Sequence, residues 1–405
     1  MRSLVKLLVR DRELRVFGLL FFLAGMAGSA AIPLVPLYMT RELGASLTEV
    51  GLLAAAGLFK AAIGLPLGRY SDRLRSRSTL LGVLSCWMAV GWLLLPAMPG
   101  FWSAAVVYVL GLPFIGAINA QIFAGLTETL DRRGESRPAT ITSTLRGGYS
   151  FGYVIGPLFG TTVAALAGLW SAFVVASVLY VLLAALGFLA RLTGGHSSAH
   201  REKPAASGKS RLWPLWLFAF GVCLVIMGDG FRALYLSIYV VDGLHQSEAM
   251  FGALVSVAAA VEIVVFPLVG FATDRLGARK VILAALGIAV AGYTVLATSG
   301  AIWQVWLFHM LQVLVFTVTI GLGVTYAQRL VPGQTGLASS AFFSAQTAAM
   351  PIAGVLGAAT VGTLGLPGIF WIPAGICAVC LLVFALSPTP VSETARPGAA
   401  TKEAV

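Results

Sequence analysis

Five charged residues stand out because they lie within strongly apolar segments of the chain: Lys60, Arg146, Asp229, Arg232 and Glu262. A charged side chain at the centre of a bilayer costs about 2.5–3.5 kcal/mol on insertion scales, so such residues are functional candidates by default. Acids and bases in apolar surroundings can exchange protons, partners and hydroxyl groups of a ligand. Neutral polar side chains in the same segments join them as candidate ligands: Asn119, Gln121, His309, Gln312 and Gln346.

Asp229 and Arg232 are three positions apart, which places both on one face of a helix and close enough to pair. The functional interpretation is that Asp229 exchanges Arg232 for a proton or for ligand hydroxyls. The alternative is a self-neutralising pair that only lowers the cost of membrane insertion. Both residues are predicted to belong to the substrate site, and Asp229 also to the proton-coupling groups.

Lys60 and Glu262 are 202 residues apart, which is the spacing of an internal repeat described below. Pseudo-twofold symmetry can bring them face to face, or each can be a structural ion paired within its own half. A carboxylate in an apolar cavity can hold a proton near neutral pH. Glu262 is therefore predicted as a proton carrier and a substrate ligand, and Lys60 as a third proton-coupling residue.

Arg146 offers five donors on a rigid fork, which suits hydroxyl oxygens or a carboxylate. The alternative is a structural ion pair with Glu128 or Glu262. Gln121 can both donate and accept hydrogen bonds. His309 is either a proton relay or a buried histidine whose hydrogen bonds are satisfied. Arg146, Gln121 and His309 complete the predicted substrate site.

The amino-acid composition indicates what kind of protein positions these residues. The chain has 405 residues, of which 58% are hydrophobic and 11% charged, and its mean hydropathy is +0.91. Soluble domains carry about 45–50% apolar and about 25% charged residues. The composition therefore excludes a soluble globular enzyme, a disordered chain and a fibre, and predicts a protein whose surface faces mostly lipid.

Apolar segments of membrane-spanning length occur twelve times. With no water in the bilayer core, each must be a helix. The sequence predicts an all-α membrane protein of two six-helix bundles, at 1–191 and 212–388, joined by a cytoplasmic linker at 192–211 and followed by a disordered tail at 389–405. The spans are near 16–39, 47–70, 79–97, 101–126, 139–167, 170–190, 213–240, 247–271, 281–298, 301–327, 336–362 and 367–387.

Lys and Arg collect in alternate loops, which is the positive-inside pattern. It predicts that both termini are cytoplasmic. Nucleic-acid binding is the other interpretation of so many cations, and it is disfavoured because the clusters lie at the ends of apolar spans. Arg41, in a loop on the opposite side, is the clear exception. The basic clusters are 2–15, 69–77, 132–137, 201–211, 275–280 and Arg329.

The two halves repeat with an offset of 202 around 68–77 and 270–279. The offset is 201 further upstream, where Tyr38 aligns with Tyr239 and Gly51 with Gly252. An even number of helices in each half makes the repeats parallel, with a site expected at their interface near the midplane. The aligned loops carry an Asp and two Arg in each copy, and we predict that these residues gate the cytoplasmic side through charge-assisted bonds. They are Asp72, Arg73, Arg77, Asp274, Arg275 and Arg279.

These two loops resemble the loop signature of the major facilitator superfamily, although Arg75 replaces a glycine of the pattern in the first copy. The alternative role for the loops is topological anchoring. Gly152, Gly156, Pro157 and Gly160 resemble the superfamily signature of antiporters and efflux proteins. Glycines at i, i+4 and i+8 share one face, so they predict close approach of a second helix.

A narrower resemblance is to the bacterial sugar efflux transporters of that superfamily. The stretches that carry it are 121–124, 146–157, 259–263 and 330–339. Arg146 and Glu262 match the arginine and the glutamate of that family. The resemblance implies the major facilitator fold, a bacterial inner-membrane location, and export of small sugars or glycosides against a proton gradient.

The predicted partners are the substrate, protons and membrane lipid, with no nucleic acid and a monomeric chain. The four cysteines lie in apolar segments, and neither a metal nor another cofactor is predicted. The nearest alternative function is a multidrug/proton antiporter on the same scaffold. A membrane-embedded enzyme is disfavoured because no nucleophile with its base or paired acid and base is recognisable. A channel is disfavoured by the repeats and the paired loops.

Overall fold

The computed structural model describes residues 11–57, 77–134, 138–189, 212–331 and 335–387. Within these ranges the chain is built of helices, with no strand. The predicted all-α class is therefore confirmed. Lys60, Asp72, Arg73, the linker up to 211 and the tail from 389 lie outside the described residues.

The first described helix begins at Arg12, where Asp11 caps it by accepting hydrogen bonds from the amides of Glu13 and Leu14, at 2.9 and 3.2 Å. The helices of the first half are α1 (Arg12–Ser29), α2 (Val35–Arg41), α3 (Leu47–Ala55), α4 (Arg77–Leu94), α5 (Phe101–Gly111), α6 (Ile115–Arg132), α7 (Pro138–Ala167) and α8 (Trp170–Leu189).

The second half contains longer uninterrupted helices. They are α9 (Trp213–Ile238), α10 (Glu248–Leu276), α11 (Ala278–Ala297), α12 (Ile302–Leu330), α13 (Thr335–Leu364) and α14 (Trp371–Leu386). Across both halves, 11 stretches of the described residues are long and apolar enough to cross a membrane. The predicted span at 47–70 is described only as far as residue 57.

Helices α1 and α7 touch backbone to backbone. A β-carbon added at Gly152 or Gly160 would overlap the carbonyl of Phe22 or Ala30, and one at Gly156 would overlap the Ser29 hydroxyl. Only glycine permits this approach, so the prediction drawn from the spacing of these glycines is confirmed. Pro157 lies within the helix, and its carbonyl accepts a hydrogen bond from the Thr161 hydroxyl at 2.7 Å.

Contacts divide the chain into two compact units. The first unit comprises Met1–His200, Ala233–Ala260 and Gly354–Leu366, and the second comprises Arg201–Arg232, Val261–Ala353 and Pro367–Val405. The contact units and the sequence repeats are different groupings, and the bundle boundaries near 191 and 212 stay a prediction.

The repeat is visible within the first unit. Gly51 of α3 lies against the α13 backbone at Gly354 and Ala358, and Gly252 of α10 lies against α7 at Thr161. The residues that precede these two helices are equivalent as well. Ser46 accepts a hydrogen bond from the amide of Glu49, and Ser247 accepts one from the amide of Met250, both at 3.2 Å. The two aligned glycines thus make the same kind of contact.

Candidate functional site

An ion pair lies in α9, within the second unit. Arg232 Nε donates to Asp229 Oδ1 at 2.6 Å, and the side chains are 22% and 24% exposed. The pairing expected from their spacing is confirmed. Its role in transport stays a prediction, because the geometry fits both a mobile switch and a self-neutralising pair.

Glu262 of α10 is close enough to Asp229 and Arg232 to interact electrostatically with both. The structure therefore brings three predicted residues into one cluster of two carboxylates and one guanidinium. When both carboxylates are ionised, the cluster carries one uncompensated negative charge. Binding one proton makes it neutral. The net charge of the cluster therefore changes when a proton binds.

Neutral hydrogen-bonding groups adjoin this charged cluster. Gln312 of α12 donates through Nε2 to the Tyr293 hydroxyl of α11 at 3.2 Å. Tyr293 interacts electrostatically with Asp229 and Arg232, and its hydroxyl lies beside Gly228. Sequence reasoning missed Tyr293. A hydroxyl-bearing aromatic inside an apolar span was the available signal, but nothing in the sequence aligned it with Asp229.

His309 is almost completely buried, at 2% exposure, and interacts electrostatically with Arg232. Its Nδ1 lies 3.3 Å from the Val305 carbonyl, and its Nε2 has no hydrogen-bond partner among the described residues. Gln346 lies on α13, one turn before Met350, and Met350 packs against Gly230. We name the group Asp229, Arg232, Glu262, Tyr293, His309 and Gln312 the polar cluster.

A second set of predicted residues lies in the first unit. The Asn119 amide hydrogen-bonds the Tyr149 hydroxyl, and its Oδ1 is buried without a partner among the described residues. Arg146 lies one turn before Tyr149 on α7, is exposed, and interacts with it electrostatically. Gln121, on α6, is buried. Tyr149 was also missed by sequence reasoning, although it falls within the stretch 146–157.

The predicted gate is described only in its second copy. Arg275 lies over the Phe271 ring at 4.1 Å. Arg279 donates through Nη2 to the carbonyls of Phe384 and Ala385, at 3.0 and 3.1 Å, and thereby caps the end of α14. Asp274 is exposed and forms no ion pair within the described ranges. The gating role of this loop stays a prediction.

In the first copy, Asp72 and Arg73 lie outside the described residues, as does Lys60 further upstream. Arg77 is the first residue of α4, and only its backbone is described. The gating role of this loop and the pairing of Lys60 with Glu262 therefore stay predictions.

Arg41, the exception to the charge pattern, has two acidic partners within the first unit. Its Nε lies 2.5 Å from Asp242 Oδ1, and its Nη1 lies 3.0 Å from Glu248 Oε1. Arg41 and Asp242 are 201 residues apart, the upstream repeat offset. They are therefore equivalent positions with opposite charge, and their pairing gives the exceptional arginine a structural reason.

Known proteins resemble the chain over most of its length. A sequence profile described as Major Facilitator Superfamily matches residues 17–228 and 218–404. A relative named sugar efflux transporter A, from Dickeya chrysanthemi, is 28% identical over 85% of this chain and 88% of its own. Sugar efflux transporter C of Escherichia coli is 24% identical over 92% and 96%. A multidrug resistance protein from Enterobacter lignolyticus is 27% identical over 74% and 73%.

Solved transporters share the fold at lower identity. A nucleoside transporter superposes with a TM-score of 0.76 at 14% identity, covering 93% of this chain and 99% of the other. A peptide transporter superposes with a TM-score of 0.73 at 16% identity, covering 91% and 92%. The likeness of this chain to proteins named sugar efflux transporters, inferred from four short stretches, is thus confirmed over most of its length, and the predicted fold agrees with that of both structures.

Proposed function

The chain belongs to the Major Facilitator Superfamily, and we propose that, as a member, it exports small sugars or glycosides in exchange for protons. Membership makes it a multi-pass membrane transporter with the major facilitator fold rather than an enzyme. The observation that carries the proposal is the polar cluster, in which two carboxylates and one guanidinium adjoin a hydroxyl and an amide within a membrane-spanning unit.

Sugars present many hydroxyl groups, each of which donates and accepts. Amide, phenol and guanidinium groups complement such a ligand. The polar cluster provides these groups in one unit, and Asn119, Tyr149 and Arg146 provide them in the other. Relatives named sugar efflux transporters, aligned over nearly the whole chain, support this substrate class.

Coupling is proposed to act through partner exchange. A proton on Glu262 or Asp229 weakens that residue's attraction for Arg232, and Arg146 and Lys60 are the further cations expected to take part. If the protonated and ionised forms favour different conformations, proton binding shifts the balance between inward- and outward-facing states. Substrate and proton then influence each other's binding reciprocally.

The setting of this cycle is also part of the proposal. We propose that the protein works as a monomer in the bacterial inner membrane. Both termini are expected in the cytoplasm, because the basic clusters fall in alternate loops. In that orientation, proton entry down its gradient drives the substrate outward.

Transport in liposomes tests the proposal. Purified protein with an imposed pH gradient should move labelled lactose or a thiogalactoside, and counterflow with a panel of mono- and disaccharides defines the range. Glu262→Gln should retain counterflow but lose acceleration by the gradient, and Arg146→Ala should weaken counterflow itself. Equal movement with and without a gradient would reject proton coupling, and absence of counterflow with every sugar would reject the substrate class.

Multidrug/proton antiport is the second candidate, because a multidrug resistance protein is also among the relatives. Lipophilic cations and sugars are tested as competitors of the same transport reaction. Competition by sugars alone favours sugar export, and competition by lipophilic cations alone favours the drug exporter.

A further inference from the structure

A cavity of about 750 Å³ lies within the second unit, between α9, α11, α12 and α14. Aliphatic and aromatic side chains form most of its wall. Among the described residues that line it, Arg279 and Arg329 carry the only charges. No member of the polar cluster lines it, so the cavity is distinct from the proposed transport site.

The two arginines lie at the same end of the cavity. α11 starts at Ala278 and α12 finishes at Leu330, so Arg279 and Arg329 are both near helix ends. α9 begins at Trp213, which lines the same end. This is the end that the basic loops predict to be cytoplasmic. Trp is typical of the boundary between hydrocarbon and headgroups.

The depth and the opening of the cavity match one lipid leaflet. Along α9 the wall runs from Trp213 to Val225, which corresponds to about 18 Å at the rise of a helix. Half of a hydrocarbon core is about 15 Å. Phe220 and Val379 line the cavity and are 61% and 57% exposed, so the wall is continuous with the outer surface of the helices. In a membrane that surface meets acyl chains.

We propose that this cavity binds an acyl chain of an anionic phospholipid, whose phosphate lies between Arg279 and Arg329. The apolar wall suits the chain, and a basic end on the cytoplasmic side suits an anionic headgroup. Hydrogen bonds to the end of α14 hold Arg279 at the basic end of the cavity. A lipophilic cation would meet two positive charges there, which argues against a drug as the occupant.

Lipid binding to the purified full-length protein tests the headgroup contact. Phosphatidylglycerol and phosphatidylcholine with identical acyl chains are titrated in detergent, and bound lipid is counted by native mass spectrometry. Phosphatidylglycerol should bind more tightly than phosphatidylcholine. Arg329→Gln should weaken the binding of phosphatidylglycerol about fivefold, which corresponds to about 1 kcal/mol for one cation near an anionic surface. Lys280→Gln is the matched control, because Lys280 is exposed at the same end but does not line the cavity.

A cavity-filling variant tests the acyl-chain contact without altering charge. Gly221 lines the cavity, and a β-carbon there meets no atom within 4 Å, so Gly221→Leu should fold and weaken the binding of both lipids. Gly362→Leu, at an exposed position of α13 that does not line the cavity, should change neither. Equal affinity for the two lipids, unchanged binding in Gly221→Leu, or occupancy by lipophilic cations that lipid does not displace would overturn the proposal. None of these outcomes depends on which substrate is transported.

Discussion

Asp229 makes a contact that the local sequence predicts, whereas Tyr293 makes one that only the folded structure reveals. Asp229 and Arg232 pair because three positions along a helix bring them together, which requires nothing beyond local geometry. Tyr293 joins them only because α11 packs beside α9, with Gly228 leaving space for its hydroxyl. The first contact was predictable, and the second depended on side-chain packing between distant segments.

Removing one member of the α9 ion pair should destabilise the protein. Asp229→Asn replaces a charge-assisted bond by a weaker amide contact, at an expected cost of about 1 kcal/mol, because Glu262 still compensates the charge of the half-buried Arg232. The midpoint of thermal unfolding in detergent measures it. Asp274→Asn is the control, since Asp274 is exposed. If Asp229→Asn and Asp274→Asn lower the midpoint equally, the pair is not stabilising.

Tyr293→Phe should raise the KM for sugar about 2- to 10-fold, the range expected for one lost hydrogen bond. The reason is that the hydroxyl accepts from Gln312 beside the charged cluster. Tyr38→Phe is the matched control, because the Tyr38 hydroxyl donates to the Pro96 carbonyl, outside the polar cluster. An unchanged KM in Tyr293→Phe would remove this tyrosine from the proposed substrate site.

At the scale of elements, the glycines of α7 are the clearest link between sequence and packing. Their spacing predicts one shared face, and the structure places α1 against that face. The partner helix was not predictable from the spacing, because a glycine face accepts any helix of suitable direction. The tertiary arrangement of the helices decides which helix packs against this face.

Gly152→Ala should lower the unfolding midpoint, because the added methyl group overlaps the Phe22 carbonyl and forces α1 and α7 apart. Overpacking of this kind costs about 1–3 kcal/mol. Gly147→Ala on the same helix meets no atom within 4 Å and should be neutral or slightly stabilising. Equal midpoints for the two variants would contradict the close-contact interpretation.

The beginning of α1 should respond to acid. Arg133 hydrogen-bonds Asp11 and lowers the pKa of its carboxyl below the usual value. The stabilisation is therefore fully present above the unfolded pKa of about 3.9, and it is lost as the pH falls through the lower folded pKa. Asp11→Asn keeps a capping oxygen but removes the charge.

The difference in unfolding midpoint between the wild type and Asp11→Asn should thus stay constant from about pH 8 to about pH 5. It should decrease towards zero below about pH 4. The midpoint is recorded across that range in one detergent. In an Arg133→Gln background the same substitution should show a smaller pH dependence, due to the amides of Glu13 and Leu14 alone. A difference that grows on acidification would contradict this assignment.

At the scale of the whole molecule, the internal repeat explains the position of Arg41, which the positive-inside pattern does not explain. Arg41 and Asp242 occupy equivalent positions in the two halves and pair with each other. In the proposed cycle, each end of the transporter closes and opens in turn. A contact between equivalent, oppositely charged positions can close in one state and part in the other.

Arg41→Glu should slow sugar transport, because it places a third carboxylate beside Asp242 and Glu248. Adding Asp242→Arg restores opposite charges at the two positions, and initial rates in liposomes should partly recover. Glu42→Gln, which changes the adjacent exposed charge, serves as the control. Failure of the charge swap to recover any activity would argue against pairing during the cycle.

The sequence by itself predicted the membrane class, the helical spans and the internal repeat, because each depends on composition, periodicity or local spacing, and the resemblance of its motifs to known ones indicated the superfamily. It also predicted most members of the polar cluster, because a charged side chain in an apolar membrane-spanning segment costs free energy and is therefore easy to recognise. Only the tertiary structure added Tyr293 and Tyr149, gave Arg41 its partners and Arg279 its capping role, and formed the apolar cavity of the second unit. Those features arise where segments far apart in the chain pack together, and no local pattern encodes which side chains meet there.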